Sequence, residues 1–288
     1  MTPRLPIPEL SRIIQELAGQ VPLKDRDAAR SVVSQLLTEL ERGAVRAAEL
    51  DGDVWRAVEW VKQGILLAFR SGETKMVPEE GGTEALFRFS DRDTLPVRGP
   101  EGVSEGVRIV PGGSAVRAGA YLGPRVVIMP PAYVNVGAWI GEDSMVDSHA
   151  LVGSCAQIGA RVHLSAGAQI GGVLEPIGLR PVIVEDEAMI GANVGLFEGV
   201  LVGRRSVIAP GVQLTAGTPL FDLVRDTVYR ASPGHPLSVP EGAVVVPGTR
   251  PARGEFATEQ GLQLYAAIVV KYRDQNTDAA TTLEEVLR

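Results

Sequence analysis

Hydrophobic residues are spaced in three ways along this chain of 288 residues. Between residues 9 and 42 they recur at helical intervals. Leu10, Ile13, Ile14 and Leu17 follow Pro8-Glu9; Val32, Val33, Leu36, Leu37 and Leu40 then form one stripe ending before Gly43. Two short alternating runs around Asp51-Gly52 predict a hairpin, and "EWVKQGILLAFR" predicts a further helix. Residues 71–106, rich in Gly, Pro and charge, read as loop. The third spacing is six. Stepping by six from Val110 meets Val116, Leu122, Ile128, Val134, Ile140, Val146, Val152, Ile158, Leu164 and Ile170. After "GVLEPIGLRP" the phase has slipped by two, and the count resumes at Val184 with Ile190, Leu196, Val202, Ile208 and Leu214.

A six-residue period predicts a β-solenoid in which each hexad is one short strand and one corner. Three hexads close a triangular turn, so residues 107–218 make about six coils. The residue four after each aliphatic is Ser, Ala, Val or Thr, apart from Leu174 at the slip. A small residue there suits a narrow interior. Glycines often follow the aliphatic directly, at 123, 141, 153, 159, 171, 191 and 203, where they are expected to permit turn dihedrals. The predicted class is mainly β: a parallel β-helix over 107–218, an α-rich N-terminal domain over 1–106 and a C-terminal capping region over 219–288. In that last region "AVVVPGT" and "LQLYAAIVVKY" read as strands and 279–288 as a helix. Caps at both ends would cover the prism's open strand edges.

Composition narrows the function. The chain carries a net charge of −7 and no long basic run, which argues against nucleic acid or an anionic membrane as partner. No apolar run approaches the ~20 residues of a membrane span, so a soluble, cytoplasmic protein is expected. Cys155 is the only cysteine, so there is no intrachain disulfide and no multi-cysteine metal site.

One hexad departs from its neighbours. Asp147 occupies the slot after the aliphatic that Gly153 and Gly159 fill next. A solvated or turn-capping aspartate gives the same pattern as a catalytic one. The only histidines are His149, His163 and His235. Three histidines can make a carbonic-anhydrase-like zinc site on such prisms, but these fall at different hexad positions or outside the repeat, so no metal is expected. A prism serving only as an assembly scaffold would account for the repeat alone.

Longer segments go further. "LERGAVRAAELDGDVWRAVEWVKQGILLAFR", "RIVPGGSAVRAGAYLG", "VIMPPAYVNVGAWIGEDSMVDSHALVGSCAQIGARVHLSAGAQIGGVLEP" and "IGANVGLFEGVLVG" resemble the tetrahydrodipicolinate N-succinyltransferases of the diaminopimelate route to lysine. These are left-handed hexapeptide-repeat acyltransferases, and the resemblance runs from about residue 36 to 273. It implies transfer of a succinyl group from the co-substrate succinyl-CoA to an amino-oxo-pimelate, with no tightly bound cofactor, in a homotrimer with sites between prisms. It also implies Asp147 as base, Arg108 as a substrate-carboxylate anchor, and Arg117 and Ser148 as weaker substrate contacts. The slip segment would fold over the pantetheine arm, with Gly171 and Gly172 allowing close approach. One position departs. Where the family carries a second catalytic glutamate this chain has Gly195; Glu198, three residues on, matches a different family glutamate and is the weaker catalytic candidate. The "GAN…EG" spelling also resembles an acetyl-CoA-dependent branch acting on the same amine, so the acyl donor stays open.

Overall fold

The computed structural model of the chain describes residues 4–76, 89–99 and 103–274. Three helices come first: α1 (Ile7–Ala18), α2 (Arg26–Glu41) and α3 (Glu59–Ser71), with the hairpin β1 (Ala48–Asp51) and β2 (Val54–Ala57) between the last two. Asp25 caps α2, its carboxylate accepting the Ala28 N–H at 2.9 Å. Leu10, Ile14, Leu36, Ile65 and Leu67 are fully buried in one helical core. Part of the expected loop is paired: β3 (Thr74–Met76) and β4 (Ser90–Arg92) run antiparallel. Charge and glycine content hid these short strands. The helix expected at 279–288 lies outside the described residues.

From Arg108 onward the chain winds through three parallel sheets. Strand partners are mostly eighteen residues apart, as Trp139 with Tyr121 below and Gln157 above. The first face runs through Met145–Val146, the second through Leu151–Val152 and the third through Gln157–Ile158. Every aliphatic of the repeat from Val116 to Leu214 is at most 5% exposed, and each contributes ~1.5–3 kcal/mol of burial. The small column is buried beside it, from Ala120, Val126 and Ala138 to Ser206 and Val212.

Three features differ from expectation. The first coil is out of step by one residue, because Ile109, not Val110, pairs with Ile128. Both residues are aliphatic, so the count could not separate them. The glycines after the aliphatics are not at the left-handed corner positions. Those lie two residues later, at Gly119, Gly137, Gly167 and Gly211 but also at Arg125, Asp143, His149, Cys155 and Asn193. What demands glycine is crowding: a Cβ on Gly141 would stand 2.5 Å from the Gly159 carbonyl carbon. Finally, the prism continues past residue 218. Val239 pairs with Val202 and Val245 with Ile208, completing the last coil after an outlying segment that includes Leu220–Asp222 and Thr227–Tyr229. The expected strands of the C-terminal region are Ala243–Pro251 and Gln263–Tyr272, paired antiparallel.

The N-terminal helices pack along the corner between the second and third faces, where Ala118, Val136 and Cys155 join their core. Burial pushes the Cys155 thiol up to about 12, against the nearby cation of Lys62, so it sits there as a neutral packing group.

Candidate active site

Asp147 stands at the corner between the first and second faces, in the third coil. The corner is rigid: the Asp147 N–H donates to Leu164 O at 2.9 Å, and its carbonyl accepts the Ala150 N–H at 3.1 Å. Its carboxylate is half-buried, and one oxygen accepts the Ser148 N–H at 2.6 Å. No further donor or ion pair reaches it among the described residues, so the other oxygen is available to an incoming amine. Ser148 is half-buried beside it, and its carbonyl accepts the Gly167 N–H at 2.9 Å. His149 follows in left-handed conformation with its ring at the surface.

Arg108 lies on the first face, exposed, with no ion pair among the described residues. It pairs with Val127, which pairs with Met145, two residues before Asp147. Two strand spacings of ~4.8 Å put Arg108 about 10 Å below the level of Asp147. A guanidinium on a flexible stem and a carboxylate on a fixed corner thus share one flank. A dicarboxylic amine can span that interval, one carboxylate on the guanidinium and its nitrogen at the aspartate.

The other sequence-derived residues are placed elsewhere. Arg117 lies at the second-to-third corner and is ion-paired with Asp91 of β4, so it braces the N-terminal region instead of joining Asp147. Glu198 has its exposed carboxylate on the Ala216 N–H at 2.7 Å, tying one coil to the next. At Gly195 there is no room for a side chain: a Cβ would meet the Gln213 Oε1 at 2.1 Å and the Phe197 ring at 2.6 Å. Gly171 and Gly172 are explained by packing within the chain, where added Cβ atoms would meet Phe197 at 2.8 Å and the Ser154 nitrogen at 2.5 Å. His163 lies on the first face one coil above Met145, and His235 lies beyond the repeat.

Sequence reasoning missed how the slip segment is held. Residues 171–182 leave the prism at the second-to-third corner and dock on the N-terminal domain. Leu174 packs against its core, and the buried Lys62 donates to the Leu179 carbonyl. Arg180 grips the Gly199 carbonyl at 2.9 and 3.1 Å. Burial lowers the pKa of Lys62. Its only sequence signal is a lysine on the apolar stripe of α3.

Comparison with known proteins decides the family. The family model "Tetrahydrodipicolinate N-succinyltransferase N-terminal" matches residues 12–71, and "Hexapeptide repeat of succinyl-transferase" matches residues 181–216. A 2,3,4,5-tetrahydropyridine-2,6-dicarboxylate N-succinyltransferase of Idiomarina loihiensis is 40% identical over 270 residues, 92% of this chain and 91% of that one. One from Xylella fastidiosa is 41% identical over 266 residues, 91% and 90% of the two chains. One from Methylorubrum populi is 40% identical over 281 residues, 95% of each chain. The chain belongs to the tetrahydrodipicolinate N-succinyltransferase family. The prism is accordingly a left-handed parallel β-helix, and the helices before it are this family's N-terminal domain. In this N-succinyltransferase fold Asp147 and the slip segment lie at opposite ends of the second face. One protomer therefore does not bring them together.

Proposed function

We propose that this chain transfers the succinyl group of succinyl-CoA to the amino group of ring-opened tetrahydrodipicolinate, a step toward diaminopimelate and lysine. The observation that carries the reading is ~40% identity over nine-tenths of the chain to enzymes of that name. The site geometry supplies the chemistry. The acceptor's amine is held with a carboxylate on Arg108 and its nitrogen at the open oxygen of Asp147. The nitrogen attacks the thioester carbonyl carbon, the C–N bond forms, the C–S bond breaks, and CoA leaves as the thiol. Asp147 takes the proton that the amine sheds and passes it on toward the departing sulfur. Ser148 lines the same corner. No second carboxylate stands at residue 195, so in this reading one aspartate does the proton transfer. Glu198 and Arg117 act through the scaffold.

The separation of Asp147 from the slip segment favours a homotrimer in which a neighbouring prism's segment closes over the acyl-donor slot. No helix among the described residues is long and apolar enough to cross a membrane; with the soluble co-substrates this reading requires, the cytoplasm is the expected compartment. The test is thiol release with tetrahydrodipicolinate as acceptor, run in parallel with succinyl-CoA and acetyl-CoA. Fast release with succinyl-CoA only is expected. Release with acetyl-CoA only would move the chain to the acetyl-transferring branch, and none with either would remove the acceptor.

A further inference from the structure

A cavity lies away from Asp147, between the β1–β2 hairpin and the third face. It measures about 530 Å³. Its floor is the stacked pair Tyr121 and Trp139, ring centroids 3.8 Å apart. Arg46, from the N-terminal domain, lies over Trp139 with its guanidinium carbon 4.0 Å from the ring centroid, and Trp55 stands at 5.4 Å. The Arg46 Nε–H donates to Gln157 Oε1 at 3.0 Å. Gln157 is itself buried and is locked by donating to the Cys155 carbonyl at 2.9 Å. The two terminal nitrogens of Arg46 meet no acceptor among the described residues, and they are not sealed in protein, so they open into the cavity.

The surrounding charges narrow the ligand. Arg204 is held by Glu187 at 2.6 Å. Glu185 is satisfied by the Trp55 indole N–H at 2.9 Å and the Arg204 backbone N–H at 3.0 Å. Asp186 accepts the Ala160 N–H through one oxygen, at 2.9 Å, and its other oxygen meets no donor. Burial pushes the Arg46 guanidinium down to about 10, with Glu49 and Asp186 acting in the opposite direction, so it remains a cation near neutrality. The cavity thus offers one open cation, one open carboxylate oxygen and an aromatic floor. A polyanion would be repelled by Glu142, Glu185 and Asp186; a zwitterion matches both open groups.

We propose that this cavity binds a free α-amino acid, its carboxylate on the terminal nitrogens of Arg46, its ammonium on Asp186 and its side chain against the apolar lining of Leu50 and Trp55. The site is independent of the acyl-transfer reading.

Two of the three tryptophans line the cavity, so binding is read by tryptophan fluorescence of the full chain. The probes are L-norleucine, hexanoate, which lacks the amine, and pentylamine, which lacks the carboxylate. Norleucine is expected to give a saturable change, with each single-ended analogue at least about tenfold weaker. Arg46→Met should weaken norleucine by a similar factor. Asp186→Asn, which keeps the acceptor for Ala160, tests the other end without disturbing the Arg46 contacts: it should weaken norleucine and leave hexanoate unchanged. Asp147→Asn should leave norleucine binding intact. Equal binding of hexanoate and norleucine, loss of binding in Asp147→Asn, or no saturable response in the parent would each overturn the proposal.

Discussion

Two corners of the prism flank the same first face and are built on opposite terms. At the corner leading into it from the third face, the position after the aliphatic is glycine at Gly123, Gly141, Gly159 and Gly203, with Glu185 the exception among these coils. Cβ atoms added to those four glycines would stand 2.4–2.7 Å from atoms of the next coil. At the corner leading out of it, the same position holds Met129, Asp147, Ser165 and Ala209, with Gly191 the one glycine. The incoming corner stacks backbone on backbone at most of its coils, and Glu185 is the exception, its carboxylate accepting the Trp55 indole N–H. The outgoing corner carries side chains at every one of these coils except that of Gly191, where a Cβ would stand 2.6 Å from the Pro210 nitrogen, and there a carboxylate with one open oxygen appears at Asp147. In a solenoid the interior repeats in every coil; chemistry needs a corner where the repeat leaves room.

That contrast can be broken by substitution. The largest effect is expected just inside the outgoing corner, where Val146→Asp would place an unpaired charge in the interior. It should cost about 4 kcal/mol or more and abolish the cooperative melting transition; a normal melt would refute the inward register of Val146. One residue on, Asp147→Asn should leave the melt nearly unchanged while turnover falls ~10²–10⁴-fold. An active, folded Asp147→Asn chain would take the proton transfer away from this residue. At the incoming corner the outcome reverses. Gly141→Ala should lower stability by about 2–3 kcal/mol in denaturant unfolding, because its Cβ would press the Gly159 backbone apart. Lys62→Met should change global stability by less than about 1 kcal/mol, since a lost hydrogen bond is offset by removal of a buried charge. Amide exchange across 173–180 should nonetheless quicken; unchanged exchange there would mean the slip segment holds itself.

Acid sharpens the contrast between prism and helices. Arg4 holds the carboxylate of the buried Glu39 below its usual range, and Arg30, the Glu73 N–H and Lys75 do the same for Asp93. Each carboxylate stabilises the fold above its ordinary pKa, and that contribution is lost as pH falls toward the depressed value. Amide exchange in α2 should therefore rise below about pH 4, while the prism's aliphatic stack stays protected.

The prism was legible because its rule is written once per hexad. Val146 and its counterparts could be counted without any knowledge of partners. The register of the first coil was not legible, because Ile109 and Val110 satisfy the same rule and only pairing with Ile128 separates them. Asp147 stood out as an exception to a repeat. Arg117 is the weaker arginine candidate in the sequence, and its fate depends on Asp91, in a segment whose composition speaks only of loop. The glycines were seen correctly but for another cause: crowding between coils is a contact eighteen or more residues away and leaves no local mark. The Arg46 cavity left a faint one. Tyr121 and Trp139 are aromatic residues eighteen positions apart at one outward site, a spacing that stacks them in adjacent coils.

The coil-by-coil pairing also makes the molecule a ruler. Residues on one flank can be separated along its axis only in graduations of ~4.8 Å, one for each coil. Arg108 and Asp147 stand about two graduations apart. Removing the eighteen residues of one whole coil would keep every inward aliphatic in phase and still draw the two charges one mark closer. Ligand length on this flank is therefore set by how many coils intervene, and no single side chain has to measure it.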